Sequence, residues 1–175
     1  MKIEKLFLFL AVPCIALFIF LMPVTEAPDE WMHAGMAWDI LYDNSKTFEW
    51  LTLHQTDVIN NDSLTPADVN KDKYIKFFTE KKDFSSDVFS PKFSIKSIVH
   101  LPQAIGMLIG KVIYPSLGVI MTCGRLVNAL VYIIGIYFLI KYLQVGKLAM
   151  LFISLLPMML QQAASLSYDV LNYVI

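Results

Sequence analysis

The chain has 175 residues, 57% of them hydrophobic and 17% charged, with a formal net charge of -1 and a mean hydropathy of +0.57. A soluble domain is about 45–50% apolar and about 25% charged, so this composition excludes an ordinary water-soluble core, and its near-neutral charge points to no nucleic-acid partner. The apolar excess is gathered in blocks, as membrane spans require, and Cys14 and Cys123 lie inside such blocks as packed residues rather than as a disulfide or metal pair.

Residues 1–24 read as a short cytoplasmic N-terminus and a first transmembrane helix. Leu6 to Val24 is free of charge and follows Lys2 and Lys5; at 1.5 Å per residue it covers about 28 Å. A cleaved signal peptide is the rival. The run is longer than the usual apolar region of one, and "TEA" is a poor cleavage site. The basic flank keeps the N-terminus inside.

Residues 25–97 form a large extracytoplasmic loop with 13 acidic residues and 8 lysines. It opens on a helix expected from Pro28, with Asp29 and Glu30 near its positive end. Trp31, Gly35, Trp38 and Tyr42 recur at helical spacing, and the expectation is an interfacial helix with its aromatic stripe among the headgroups. A second short helix is expected from "TPAD", with Thr65, Pro66 and Asp68 forming its start. "DVNKDKYIKFFT" mimics a calcium loop only at its first positions, because Lys73 and Thr79 stand where glycine and glutamate belong. Asn61 begins a formal glycosylation sequon.

Residues 98–116 contain an apolar stretch, Ile98 to Ile113, interrupted by His100, Pro102, Gln103 and Lys111. Its length suits a re-entrant or interfacial helix better than a span. Gly106 and Gly110 form a GxxxG that permits close approach to another helix. Residues 117–140 read as a second transmembrane helix, 141–147 as a cytoplasmic turn marked by Lys141 and Lys147, and 148–168 as a third span bent near Pro157. Residues 169–175 begin a further, truncated element. The expected fold class is all-α: a multi-pass membrane protein with about three transmembrane helices and a large outer loop after the first, an incomplete part of something longer. The expected place is the cell membrane.

Three clusters carry candidate chemistry. In "PDEWMH", Asp29 and Glu30 lie four and three residues before His33, so on a helix both carboxylates reach the imidazole. Helix-end acids with an incidental histidine, a general base at the outer membrane surface, and half of a di-metal site all remain open there. No complete ligand set indicates a metal, and a cofactor is not identified. Arg125 lies eight residues into the second span, with Asn128 and Tyr132 on the same face. It either snorkels to the headgroups or holds a lipid phosphate, for which its forked donors suit. In "LLPMMLQQAASLSYD", Gln161, Gln162, Ser165, Ser167, Tyr168 and Asp169 imply a wet or protein-lined cavity, or equally interhelical hydrogen bonding.

The order of "PDEWMH", "HLPQAIGMLIG", "GRLVNALVY" and "QQAASLSYD" resembles a family of bacterial multi-pass membrane proteins, the domain-of-unknown-function family 2142, which is similar to C-type (GT-C) glycosyltransferases. The resemblance covers nearly all of this chain but only the N-terminal part of the family's length. His100 stands where the pattern has an aromatic residue. The resemblance implies transfer of a sugar from a polyprenyl-phosphate carrier to an extracytoplasmic glycan or protein acceptor. Carried onto this chain, it implies Asp29 or Glu30 as base toward the acceptor hydroxyl, with the other orienting His33 or a metal. Arg125 would clamp the carrier phosphate, and Asn128, Gln161, Gln162, Ser167 and Asp169 would line the pocket. The competing class is a non-enzymatic membrane protein, a transporter part or assembly subunit whose polar clusters serve helix packing, or an inactive fragment.

Overall fold

The computed structural model describes residues 2–24, 27–43, 71–94 and 97–174. The helix expected from Thr65, Pro66 and Asp68 and the sequon at Asn61 lie outside the described residues. Two helices among the described residues are long and apolar enough to cross a membrane: α1, Ile3–Leu21, and α5, Leu117–Tyr142. Pro23 supplies no N–H to continue α1, and the chain leaves the helix after Met22 donates to the Phe18 carbonyl. Ser116 caps α5, its hydroxyl accepting from the Val119 N–H.

α1 and α5 run antiparallel. Phe7, Ala11, Ile15 and Ile19, spaced four apart, form one buried stripe that meets Ala129, Tyr132, Ile136 and Ile140 of α5. Such a stripe faces one neighbour continuously. Phe9, Leu17 and Phe20 on the other side of α1 are exposed, as suits a lipid-facing surface. The pairing brings Lys2, Lys141 and Lys147 together at one end, and Arg125 meets the carbonyls of Met22 and Pro23 near the other.

Helix α4, Leu101–Ile113, is preceded by one 3₁₀ turn, Ile98–His100. Thirteen residues cover about 20 Å, less than a hydrocarbon core. It packs antiparallel along the first half of α5, and the expected GxxxG lies at the contact. A Cβ on Gly106 would stand 2.4 Å from the Cys123 carbonyl oxygen, and one on Gly110 would stand 2.7 Å from the Ile120 Cα. Only glycine allows the two backbones so close.

Helix α2, Glu30–Asp39, starts two residues later than Pro28 suggests, with Asp29 in the N-cap position. It also ends earlier, and Tyr42 lies in strand β1, Tyr42–Asp43, paired antiparallel with β2, Val88–Phe89. Helix α3, Lys71–Thr79, precedes that return segment. The aromatic stripe is therefore not displayed to headgroups as expected. Trp38 is fully buried and donates its indole N–H to Asp87 (2.9 Å), because residues 80–92 fold back over it. Trp38 stacks on Tyr42 at 4.6 Å, with Phe84 tilted against it. The Lys111 ammonium lies 4.0 Å from the Tyr42 ring centre and within 5.4 Å of the other two.

The segment expected as a bent third span is broken. α6, Lys147–Ser154, and α7, Pro157–Ala163, are separated by Leu155 and Leu156. Proline disfavours helical backbone in the residue before it, and Leu156 is extended (φ -57, ψ 136). A turn at 164–168 leads to α8, Asp169–Val174. These pieces pack on α1 and α5 through Leu151, Leu160, Ala163, Ala164 and Val170.

Candidate functional site

The polar residues of four separate segments converge beside the C-terminal end of α1. At the centre is an ion pair between Arg125 and Glu30, both fully buried. The contact is bidentate: Arg125 Nε donates to Glu30 Oε1 and Nη2 to Oε2, each at 2.6 Å. Nη2 also donates to the Pro23 carbonyl (2.9 Å), and Nη1 to those of Met22 (2.8 Å) and Ile19 (3.4 Å). A guanidinium has five N–H donors, and this arrangement uses all five. Glu30 Oε1 accepts in addition from the Leu166 N–H (3.2 Å). Arg125 therefore holds Glu30 and the carbonyls that end α1, with no donor remaining for a carrier phosphate or for snorkelling to headgroups. Glu30, fully buried and paired with Arg125 through both oxygens, is a poor candidate for a base.

Next to this pair lies an amide network. Gln103 Nε2 donates to Asn128 Oδ1 (3.0 Å) and to the Ser167 carbonyl (2.8 Å). Asn128 Nδ2 donates to the carbonyls of Ser165 (2.8 Å) and Ser167 (3.0 Å). All four residues are buried. The network pins the 164–168 turn to α4 and α5, satisfying carbonyls that no helix satisfies. Ser167 then orients Asp169: its hydroxyl donates to Asp169 Oδ2 (3.1 Å) and accepts from the Asp169 N–H (3.2 Å).

On this platform three rings meet. The His33 and His100 centres lie 5.6 Å apart, and Tyr168 meets them edge-on at 5.0 and 5.6 Å. His100 is buried, His33 half-buried and Tyr168 open to solvent. Burial drives both imidazoles toward the neutral form. It lowers the His33 pKa against the fields of Asp169, Asp29 and Glu30, which act to raise it. His100 is pushed to about 4 by burial and then by the charge of His33. The Nδ1 atoms of both rings have no hydrogen-bond partner. A neutral imidazole offers one donor and one acceptor, and on both rings the Nδ1 position is shut inside the cluster without using either.

Asp29 is the exposed acid of this group. It takes the left-handed conformation (φ 54, ψ 15), the one non-glycine with positive φ among the described residues. Aspartate tolerates that conformation better than most residues. The Ala27 carbonyl accepts from the Glu30 N–H and the Asp29 carbonyl from the His33 N–H, so the turn is fixed on both sides. Adjacent acids thus take opposite directions, Glu30 into the protein and Asp29 out of it.

The structure brings together Asp29, Glu30, His33, Arg125, Asn128, Ser167 and Asp169. Gln161 lies to one side, donating to the Met22 sulfur (3.7 Å), and Gln162 contributes its backbone carbonyl to the Ser165 hydroxyl (2.9 Å). Sequence reasoning grouped Tyr168 with the polar residues before Asp169 but did not place Gln103 and His100 in the site. Gln103 is a buried amide on an apolar helix, a signal that was available. His100 packs as an aromatic ring against His33 and Tyr168. Among the described residues no three His, Cys, Asp or Glu side chains stand together as metal ligands.

The family model described as "Predicted membrane protein (DUF2142)" matches residues 13–175. No curated protein matches the chain, and no solved structure does.

Proposed function

The chain belongs to the DUF2142 family of predicted membrane proteins, and from that premise we propose that it is the N-terminal part of an integral-membrane glycosyltransferase. It takes a sugar from a polyprenyl-phosphate carrier and passes it to an extracytoplasmic glycan or protein acceptor. The N-terminus is cytoplasmic and residues 25–97 lie outside. The observation that carries the reading is Asp29: an exposed carboxylate in a fixed left-handed turn, beside neutral imidazoles and above a buried ion pair that holds the turn.

In this reading Asp29 accepts the proton of the acceptor hydroxyl as its oxygen bonds to the anomeric carbon of the sugar. The bond from that carbon to the carrier phosphate breaks, and polyprenyl phosphate leaves with the electron pair. His33 and Asp169 orient the acceptor, with Asn128 and Ser167 holding the 164–168 turn beneath them. The clamp on the leaving phosphate moves from Arg125 to groups not identified among the described residues.

The test is Asp29→Asn in the full-length protein, with surface glycans of the cells compared by mass spectrometry. Asparagine takes the left-handed conformation readily, so the substitution removes the charge and leaves the turn. A glycan lost from both the deletion strain and the variant, with the variant normally present in the membrane, supports the base. A glycan lost from the deletion strain alone removes Asp29 from that role. No loss in either favours the second reading, a non-enzymatic assembly or transport subunit. The closed Glu30–Arg125 pair and the amide network speak for that reading, since both serve helix packing.

A further inference from the structure

The end of the α1–α5 pair away from the rings holds a cleft of about 390 Å³, lined by Lys2, Ile3, Glu4, Lys141 and Lys147. Nothing in the proposed transfer uses it. Its charges are unusual in arrangement. Glu4 is only 8% exposed, yet the ion pairs among the described residues join Lys82 to Glu80, Lys92 to Asp43 and Arg125 to Glu30. Glu4 is in none of them, although three lysines share its cleft. Its carboxylate oxygens face the cleft with no ammonium paired to them, and a carboxylate accepts from several donors.

The lysines are only partly engaged. Lys147 donates one hydrogen bond to the Lys141 carbonyl (2.9 Å) at the end of α5, and an ammonium has three donors. Lys141 rests 5.6 and 5.3 Å from the ring centres of Phe138 and Tyr142. Lys2 is the N-cap of α1 without a side-chain capping bond, and Gly146 holds the same position on α6, also without one. Two positive helix ends therefore add to the three ammonium groups.

We infer that the cleft of Lys2, Glu4, Lys141 and Lys147 binds a phosphodiester that carries a primary ammonium, the headgroup of an aminophospholipid. The phosphate meets the lysines, and the ammonium meets Glu4. One ligand then satisfies both signs of charge, which neither a purely anionic lipid nor a metal cation does. The place suits a lipid: the cleft sits where two helices of spanning length end, at headgroup depth, and Ile3 gives it an apolar wall.

Native mass spectrometry of the purified full-length protein in a neutral detergent tests this, with phosphatidylethanolamine, phosphatidylglycerol and phosphatidylcholine as probes. Phosphatidylethanolamine is expected to bind tightest, since methylation of phosphatidylcholine removes the N–H donors that Glu4 accepts from. A lysine near a charged headgroup layer is worth a factor of about five, so Lys2→Gln with Lys141→Gln should weaken phosphatidylethanolamine about twenty-five-fold. Lys81→Gln, on the opposite side of the fold, should leave it unchanged. Glu4→Gln should abolish the preference over phosphatidylglycerol by strengthening the latter, a gain that misfolding cannot produce. Equal binding of all three lipids overturns the inference. So does a preference that survives Glu4→Gln, or an equal effect of Lys81→Gln. If soluble glycerophosphoethanolamine occupies the cleft as well as the lipid does, the lipid assignment falls and a soluble phosphodiester takes its place.

Discussion

The two ends of the α1–α5 pair handle charge in opposite ways. Near the C-terminal end of α1, Arg125 and Glu30 are fully buried and every guanidinium donor has an acceptor. At the end holding Lys2, three lysines surround a carboxylate that none of them pairs with. A closed charge cluster holds structure together and has nothing left to offer a ligand. An open one has unused donors and acceptors, which is what a ligand needs. The same contrast recurs between neighbours, with Glu30 closed in and Asp29 left open.

The comparison is broken most severely by removing one member of the closed pair. Glu30→Gln or Arg125→Gln should each cost about 3–5 kcal/mol, because the other charge is left buried alone; unfolding in detergent, followed by circular dichroism, measures it. Gly106→Val comes next, at about 1–3 kcal/mol, since the added atoms meet the α5 backbone. Separation of α4 from α5 would be read in the same assay. Lys111→Met keeps the stem but removes the ammonium from the Trp38, Tyr42 and Phe84 rings, at about 0.5–2 kcal/mol. Faster proteolysis within residues 80–92 is the expected sign. Smallest is Asp43→Asn, which breaks the exposed pair with Lys92 and should cost no more than about 1 kcal/mol. A loss there as large as at Glu30 would end the distinction between closed and open charge.

The ring cluster adds a dependence on pH. His100 has a folded pKa of about 4, below its ordinary 6.5, so below 6.5 the unfolded chain binds the proton that the folded one refuses. Its contribution to stability is whole above about 6.5, declines as the pH falls toward 4, and is gone below that. His100→Phe keeps a ring in the cluster and removes the titrating group. Its unfolding free energy should vary less between pH 6.5 and 4 than that of the wild type.

Much of the fold is legible along the chain. The two long apolar helices, the close approach through Gly106 and Gly110, and the interruption at Pro157 each follow from patterns within a few residues. The burial of Trp38 was not legible, because its cover comes from Phe84 and Asp87, more than forty residues on. The candidate site divides in the same way. Asp29, Glu30 and His33 are neighbours in sequence and could be grouped at sight, and Arg125 stood out as a charge in an apolar helix. That Arg125 closes on Glu30, 95 residues away, leaves no local trace. An isolated charge in a span reads equally as a ligand group or as half of a pair.

The amino-acid sequence by itself determined that the chain is mostly helical, with two apolar helices of spanning length, and which polar residues interrupt its apolar segments. Helix periodicity, proline, glycine and hydropathy act over one or two turns, and those are properties of the chain alone. Only the tertiary structure decided which polar residues satisfy one another and which remain open. In an apolar surrounding a charge is stabilised by its nearest partner in space, and that partner is chosen by packing.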